Sequence, residues 1–329
     1  MTSTLWKAAG LVLLAAAAGL WVGVRGPGAG PAPAAAATPY GPDYFPNVAL
    51  TTQDGKTVRF YDDLLKGKAV AINLFYTSCQ DVCPLETANL VQVQKLLGER
   101  MGKDIFFYSI AIDPWDTPKE NKAYAQKFGV GPGWLFLSGK EADIQLLARK
   151  LGLSRASDAV SKDGHSASLM VGDVANGMWM RNSATDNPLF LSTTIGNFLG
   201  WKSAKPDASY AEARPLNIGK GEFLFQSRCS ACHTIGGGDR VGPDLLGVTE
   251  RRDHAWLARF VLEPEKVLAE GDPIATDLFR KYKQVRMPNV ELGSDDVVAV
   301  LSYIQARSRS PEAGTGKDAV AGNAAARGR

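Results

Sequence analysis

The feature that most constrains this chain is a pair of cysteines, Cys79 and Cys83, set between two runs of opposite character. The run AVAINLFY at 69–76 is apolar apart from Asn73 and reads as a buried strand, and residues 85–97 read as a helix, so the pair lies at a strand-to-helix junction. The spacing is CxxxC, one residue longer than the CxxC of thiol–disulfide exchange. Four residues apart on a helix, two side chains share a face with β-carbons about 5–6 Å apart. A relaxed disulfide wants roughly 3.5–4.5 Å. The pair therefore suits a bridging metal better than a sulfur–sulfur bond, with a plain redox dithiol as the alternative.

The surrounding segments alternate in type. A hairpin is expected first, because Asp54-Gly55 separates two short apolar segments, VALTT at 48–52 and TVRF at 57–60. The run DIFFYSIAID at 104–113 predicts a second strand buried on both faces. Thr117-Pro118 gives an N-cap followed by proline at the first helical position, and that helix stops at Gly129. A strand at 134–138, a helix at 141–151, a strand at 166–173 turned back by Asn176-Gly177, and a closing helix at 187–200 complete the segment. The alternation predicts parallel strands covered by helices, an order that resembles the thioredoxin-like fold. From Asn217 onward the pattern predicts helices only, at 219–228, 254–262 and 294–305.

Within the first segment, Cys79-Gln-Asp81-Val-Cys83-Pro84, the Ile-Asp113-Pro114 turn with Asp116-Thr-Pro118, WLFL at 134–137, and His165-Ser166 ahead of a strand are similar to the Sco/SenC copper-chaperone family. The likeness spans about residues 45–200. It implies that Cys79, Cys83 and His165 are copper ligands. Soft thiolates select Cu(I), with imidazole an acceptable third donor. Structural zinc normally takes four ligands, and this domain offers no fourth Cys or His. Two details depart from the family: the loop after Asp113-Pro114 is one residue shorter than usual, and Gly164 stands before His165 in place of an acidic residue.

A second motif, Cys229-Ser-Ala-Cys232-His233, reads as covalent attachment of haem c through Cys229 and Cys232, with His233 an axial ligand of the iron. The segment VGPDL at 241–245 and Arg286-Met287-Pro288 resemble class I cytochrome c. That resemblance implies Met287 as the distal ligand and the Pro243 carbonyl as the group that holds the proximal imidazole. His254 is the rival ligand and is expected on an exposed helix face.

The organisation that follows is an α/β thioredoxin-like domain followed by an all-α cytochrome c domain. Residues 1–25 read as an N-terminal membrane anchor or signal peptide, 26–45 as a Gly/Pro/Ala linker and 46–201 as the copper-binding domain. Residues 202–215 read as a second linker, 216–307 as the cytochrome domain and 308–329 as a disordered tail. The apolar stretch at 8–24, flanked by Lys7 and Arg25, is at the short end of a membrane span. Its composition also fits a signal peptide, although Ala-x-Ala sites lie only beyond a Gly/Pro stretch. The two motifs consume all four cysteines, and both imply a location on the periplasmic side of the bacterial inner membrane, anchored or free. The net charge of +3 matches that of residues 307–329 alone, five basic less two acidic groups, so the body is near neutral and nucleic-acid binding is not expected.

Function follows from the pairing of motifs. A haem exchanges one electron, as Cu(II)/Cu(I) does, whereas a disulfide needs two. Methionine ligation raises haem potential, and a gap of about 300 mV makes haem-driven disulfide reduction uphill by roughly 14 kcal/mol. The leading expectation is a copper metallochaperone for the binuclear copper centre of cytochrome c oxidase, with the haem adjusting copper or thiol redox state and a possible periplasmic electron-transfer partner; it is less an enzyme of turnover than a carrier. A thiol–disulfide oxidoreductase with the haem as electron outlet is the alternative, and an electron-transfer cytochrome with a degenerate first domain comes third.

Overall fold

The computed structural model describes residues 40–80, 82–154, 167–201 and 218–309. The apolar N-terminal run, Asp81, His165 with the loop before it, the second linker and the tail lie outside the described residues.

Seven strands form one mixed sheet, in the order β2-β1-β5-β4-β3-β6-β7. The centre is β3 (Ala69–Phe75), which pairs in parallel with β4 (Phe106–Ala111), and β4 pairs in parallel with β5 (Trp134–Ser138). Leu74 stands beside Ile110 and Phe75 beside Ala111, so these two apolar strands lie side by side. The expected hairpins close both edges. β1 (Ala49–Thr52) and β2 (Thr57–Arg59) add antiparallel to β5, while β6 (Ser168–Asp173) and β7 (Met178–Ser183) add antiparallel to β3.

Helix α1 (Val82–Leu97) follows β3, α2 (Pro118–Phe128) follows β4, α3 (Glu141–Lys150) follows β5, and α4 (Pro188–Phe198) packs on α1. α2 begins at Pro118 after Thr117 and ends on Gly129, whose φ of 70° gives the left-handed cap that a helix end favours. Phe75, Phe107 and Phe136 are fully buried at the sheet centre, with Phe75 meeting Phe136 edge-to-face at 4.9 Å.

Residues 218–309 are helical: α5 (Lys220–Leu224), widening into a π-type turn at Phe225–Cys229, then α6 (Val248–Arg251), α7 (His254–Leu262), α8 (Pro264–Ala269), α9 (Pro273–Lys281) and α10 (Ser294–Arg309). α10 packs across α5 and α7, burying Phe225, Leu257, Val297, Val300, Leu301 and Ile304. The sequence reading missed α8 and α9, although each starts with proline at its first position and Asp272 accepts from the Ala275 amide as the N-cap of α9.

Candidate metal and haem centres

The cysteine loop differs from the expected geometry in one respect. α1 starts at Val82, so Cys79 precedes the helix and the two cysteines do not occupy successive turns of it. The Cys79 sulfur instead accepts the backbone amide of Cys83 at 3.4 Å, as an N-cap side chain would. The helical-spacing argument against a disulfide therefore does not apply to this pair. Pro84 lies in the first turn, where the absent N–H would have had no helical partner.

The loop is fastened from below. Thr77 donates through its backbone amide at 2.8 Å, and through its hydroxyl, to the buried carboxylate of Asp116. Asp116 comes from the turn after β4, so the Asp113–Asp116 turn fixes the end of β3 from which Cys79 departs. The Trp115 amide donates to Asp113, and its ring is left 82% exposed.

Cys79 and Cys83 are both buried and share no disulfide. The hydrogen bond to Cys79, then burial, then the neighbouring charges of Cys79 and Glu86 push the Cys83 thiol far up. Glu86 lies one turn further along α1, and burial lifts its carboxyl to about 8, against the lowering hydrogen bond from Asn73. Surroundings that disfavour anions in this way favour the protonated Cys83 thiol until a cation displaces the proton. Among the described residues no cluster of three or more Cys, His, Asp or Glu side chains is present, and His165 falls outside them.

The second centre is built on the turn after α5. The His233 amide donates to the Cys229 carbonyl at 2.9 Å, and the Gly242 amide to the Cys232 carbonyl at 2.9 Å, which draws residues 241–245 across the motif. His233 Nδ1 lies 2.8 Å from the Pro243 carbonyl oxygen. A carbonyl only accepts, so Nδ1 carries the proton and Nε2 keeps its lone pair. Desolvation lowers the basicity of His233, which favours that neutral form. A β-carbon at residue 242 would sit 2.5 Å from His233 Cε1, so the ring is seated against a glycine that nothing larger could replace. Asp244 accepts the amides of Gly236, Gly238 and Leu246 and fixes the returning loop.

Cys229, Cys232, His233 and Met287 all line one cavity of about 930 Å³. Desolvation pushes the thiols of Cys229 and Cys232 up to about 12. A cavity of that size bounded by two thiols, a neutral imidazole and a thioether fits a covalently attached haem. His254 is exposed at the start of α7 and does not line it.

One arrangement has no counterpart in the sequence. Gln80 and Leu85, from the cysteine loop and α1, line this same cavity. Arg286 Nη1 donates to Gln80 Oε1 at 3.1 Å across 206 residues of chain. Ala231 and Val290 belong to the same contiguous core as the sheet, and Cys232, Val241, Val285 and Leu292 pack against it.

Comparison with known proteins matches two separate stretches of the chain to two families. Residues 37–186 match the SCO1/SenC family and residues 218–308 the cytochrome c family. The SCO1 protein homolog of Bacillus subtilis is 33% identical over 101 residues, covering 30% of this chain and 51% of that protein. The cytochrome c of Sesamum indicum is 38% identical over 47 residues, 14% of this chain and 42% of that one. The chain thus spans about half the length of the curated relatives it matches. A solved SCO1/SenC family lipoprotein from Bacillus anthracis is 28% identical with a TM-score of 0.39, covering 47% of this chain and 94% of that one.

Proposed function

We propose that this chain, whose residues 37–186 match the SCO1/SenC family and residues 218–308 the cytochrome c family, is a copper metallochaperone with its own haem. Copper is the cargo, held by the thiolates of Cys79 and Cys83 with His165 as third donor, and passed to the binuclear copper centre of cytochrome c oxidase on the periplasmic side of the inner membrane. The observation that carries this reading is the burial of two soft donors side by side, with the Cys79 sulfur on the Cys83 amide.

The haem, covalently attached at Cys229 and Cys232, supplies a one-electron couple, which methionine ligation raises in potential. This chain's residues define its setting. His233 presents Nε2 because Nδ1 keeps its proton and donates it to the Pro243 carbonyl, and Met287 enters from the strap between α9 and α10. Gln80 and Leu85 close one side, so the copper loop and the haem cavity share a wall. A one-electron exchange between the two would adjust the oxidation state of copper without a second protein.

A thiol-oxidoreductase reading gains from the start of α1 at Val82, since Cys79 lies outside the helix and approaches Cys83 through its amide. Metal content separates the readings. After anaerobic loading with Cu(I) and desalting, we expect about one copper per haem in the wild type, falling toward zero in Cys79→Ser, Cys83→Ser and His165→Ala. A wild-type ratio near zero would overturn the copper reading in favour of thiol redox, and full retention by His165→Ala would remove His165 from the ligand set.

A further inference from the structure

The strap that carries Met287 runs from Tyr282 to Gly293 between α9 and α10, without helix or strand. Its backbone is unusual. Lys283, Gln284 and Glu291 adopt φ of 55°, 58° and 56°, and they are the only non-glycine residues with positive φ among those described. Side chains disfavour that region, and residues persist there when surrounding contacts impose it. The strap's anchors within its own domain lie toward its ends. The Gln284 amide donates to the Phe279 carbonyl, while Asn289 Nδ2 donates to the Leu262 carbonyl and its Oδ1 accepts the Glu291 amide. Arg286, the neighbour of Met287, makes one contact inside its domain, its guanidinium lying over the Phe279 ring at 5.6 Å, and one outside it, donating to Gln80 Oε1 at 3.1 Å. Gln80 follows Cys79 directly, inside the CxxxC loop. Val285 and Val290, on either side of Met287, pack with the core of the sheet domain.

We propose that Arg286 is a positioning residue which, through Gln80, makes the Met287 strap sense the state of the cysteine loop. The inference rests on the copper and haem assignments above. With Gln80 adjacent to one ligand and Arg286 adjacent to another, capture of copper by Cys79 and Cys83 fixes the segment to which the strap is bonded. Coupling of this kind is reciprocal: whatever factor copper applies to the reduction equilibrium of the haem, haem reduction applies to copper affinity. The haem state then biases when the cargo is held and when it is released.

The test uses full-length haem-loaded protein, and Arg286→Leu and Gln80→Leu each remove one end of the bond. One arm needs no copper. The far-red charge-transfer band of Met-ligated ferric haem is followed as pH is raised. Both variants should lose the band at a lower pH than wild type, Gln80→Leu included, although its site lies in the other domain. The second arm measures haem midpoint potential with and without one equivalent of Cu(I). Wild type should shift by about 59 mV, a tenfold change in a one-electron equilibrium, and both variants should shift by less than a third of that while still retaining one copper per haem. An unchanged pH of band loss in both variants, or an undiminished copper-induced shift in both, overturns the role of Arg286. Copper retained with no shift in the wild type overturns the coupling alone. No copper retained at all overturns the copper reading, and with it the coupling, and is recognised separately from the metal content.

Discussion

The two halves of this molecule reach stability by different means. The sheet domain fills its own interior: Phe75, Phe107 and Phe136 stand at the centre of parallel strands, and the core extends from Phe45 to Ile195 without needing a ligand. The helical domain has a modest core of its own, six buried side chains where α10 crosses α5 and α7, next to a hollow of about 930 Å³. In one region side chains supply the volume that the fold encloses. In the other, much of that volume is left for the haem proposed to attach at Cys229 and Cys232, whose binding free energy would then be folding free energy.

Removing the attachment should break this contrast most visibly. Cys229→Ser with Cys232→Ser abolishes the covalent link, and we expect the cooperative melting of α5 to α10, followed by far-ultraviolet circular dichroism and amide exchange, to disappear while the β3 to β5 ladder stays protected. Cooperative melting of the haem-free helices would show that their own core suffices. Next in size is Phe75→Ala, which empties a site fully buried beside Phe136 and Tyr124. It should cost about 3–5 kcal/mol, read from denaturant unfolding of the sheet domain, with the haem spectrum of the native state unchanged.

A third test concerns pH. Burial raises the Glu86 carboxyl from an ordinary 4.5 to about 8, so between those values the unfolded chain has released a proton that the folded chain retains. Stability contributed by this group is present below about 4.5 and is lost as pH rises toward 8. Glu86→Gln should flatten that slope in the sheet domain's unfolding free energy. An identical slope in the variant would assign it to other groups.

How far these features could be read from sequence depended on how local their causes are. Thr117-Pro118 and Gly129 mark the ends of α2 through backbone preferences of single residues, and the structure starts and stops the helix there. The parallel core was legible because strands buried on both faces are apolar along nearly their whole length, Asn73 and Ser109 being the polar interruptions in β3 and β4. The start of α1 was not, because Cys79 caps the helix through its sulfur, a role that preference scales do not assign to cysteine. Around the haem cavity, the chemistry of Cys229, Cys232 and His233 is written in five consecutive residues. The approach of Gln80 and Arg286 has no periodicity or spacing to betray it, since only the packing of two domains brings together positions 206 residues apart.

Two glycines described above differ in what a genetic screen would make of them. Gly129 is required for its φ of 70°, with open space around its α-carbon, so asparagine, which tolerates left-handed backbone, is an acceptable exchange there. Gly242 has no such conformational demand; its restriction is the imidazole of His233, 2.5 Å from where a β-carbon would lie. Every other amino acid brings that carbon, whatever its polarity or size beyond it. In a library of random variants selected for haem retention, position 129 should drift within a narrow chemical set, while position 242 should not drift at all.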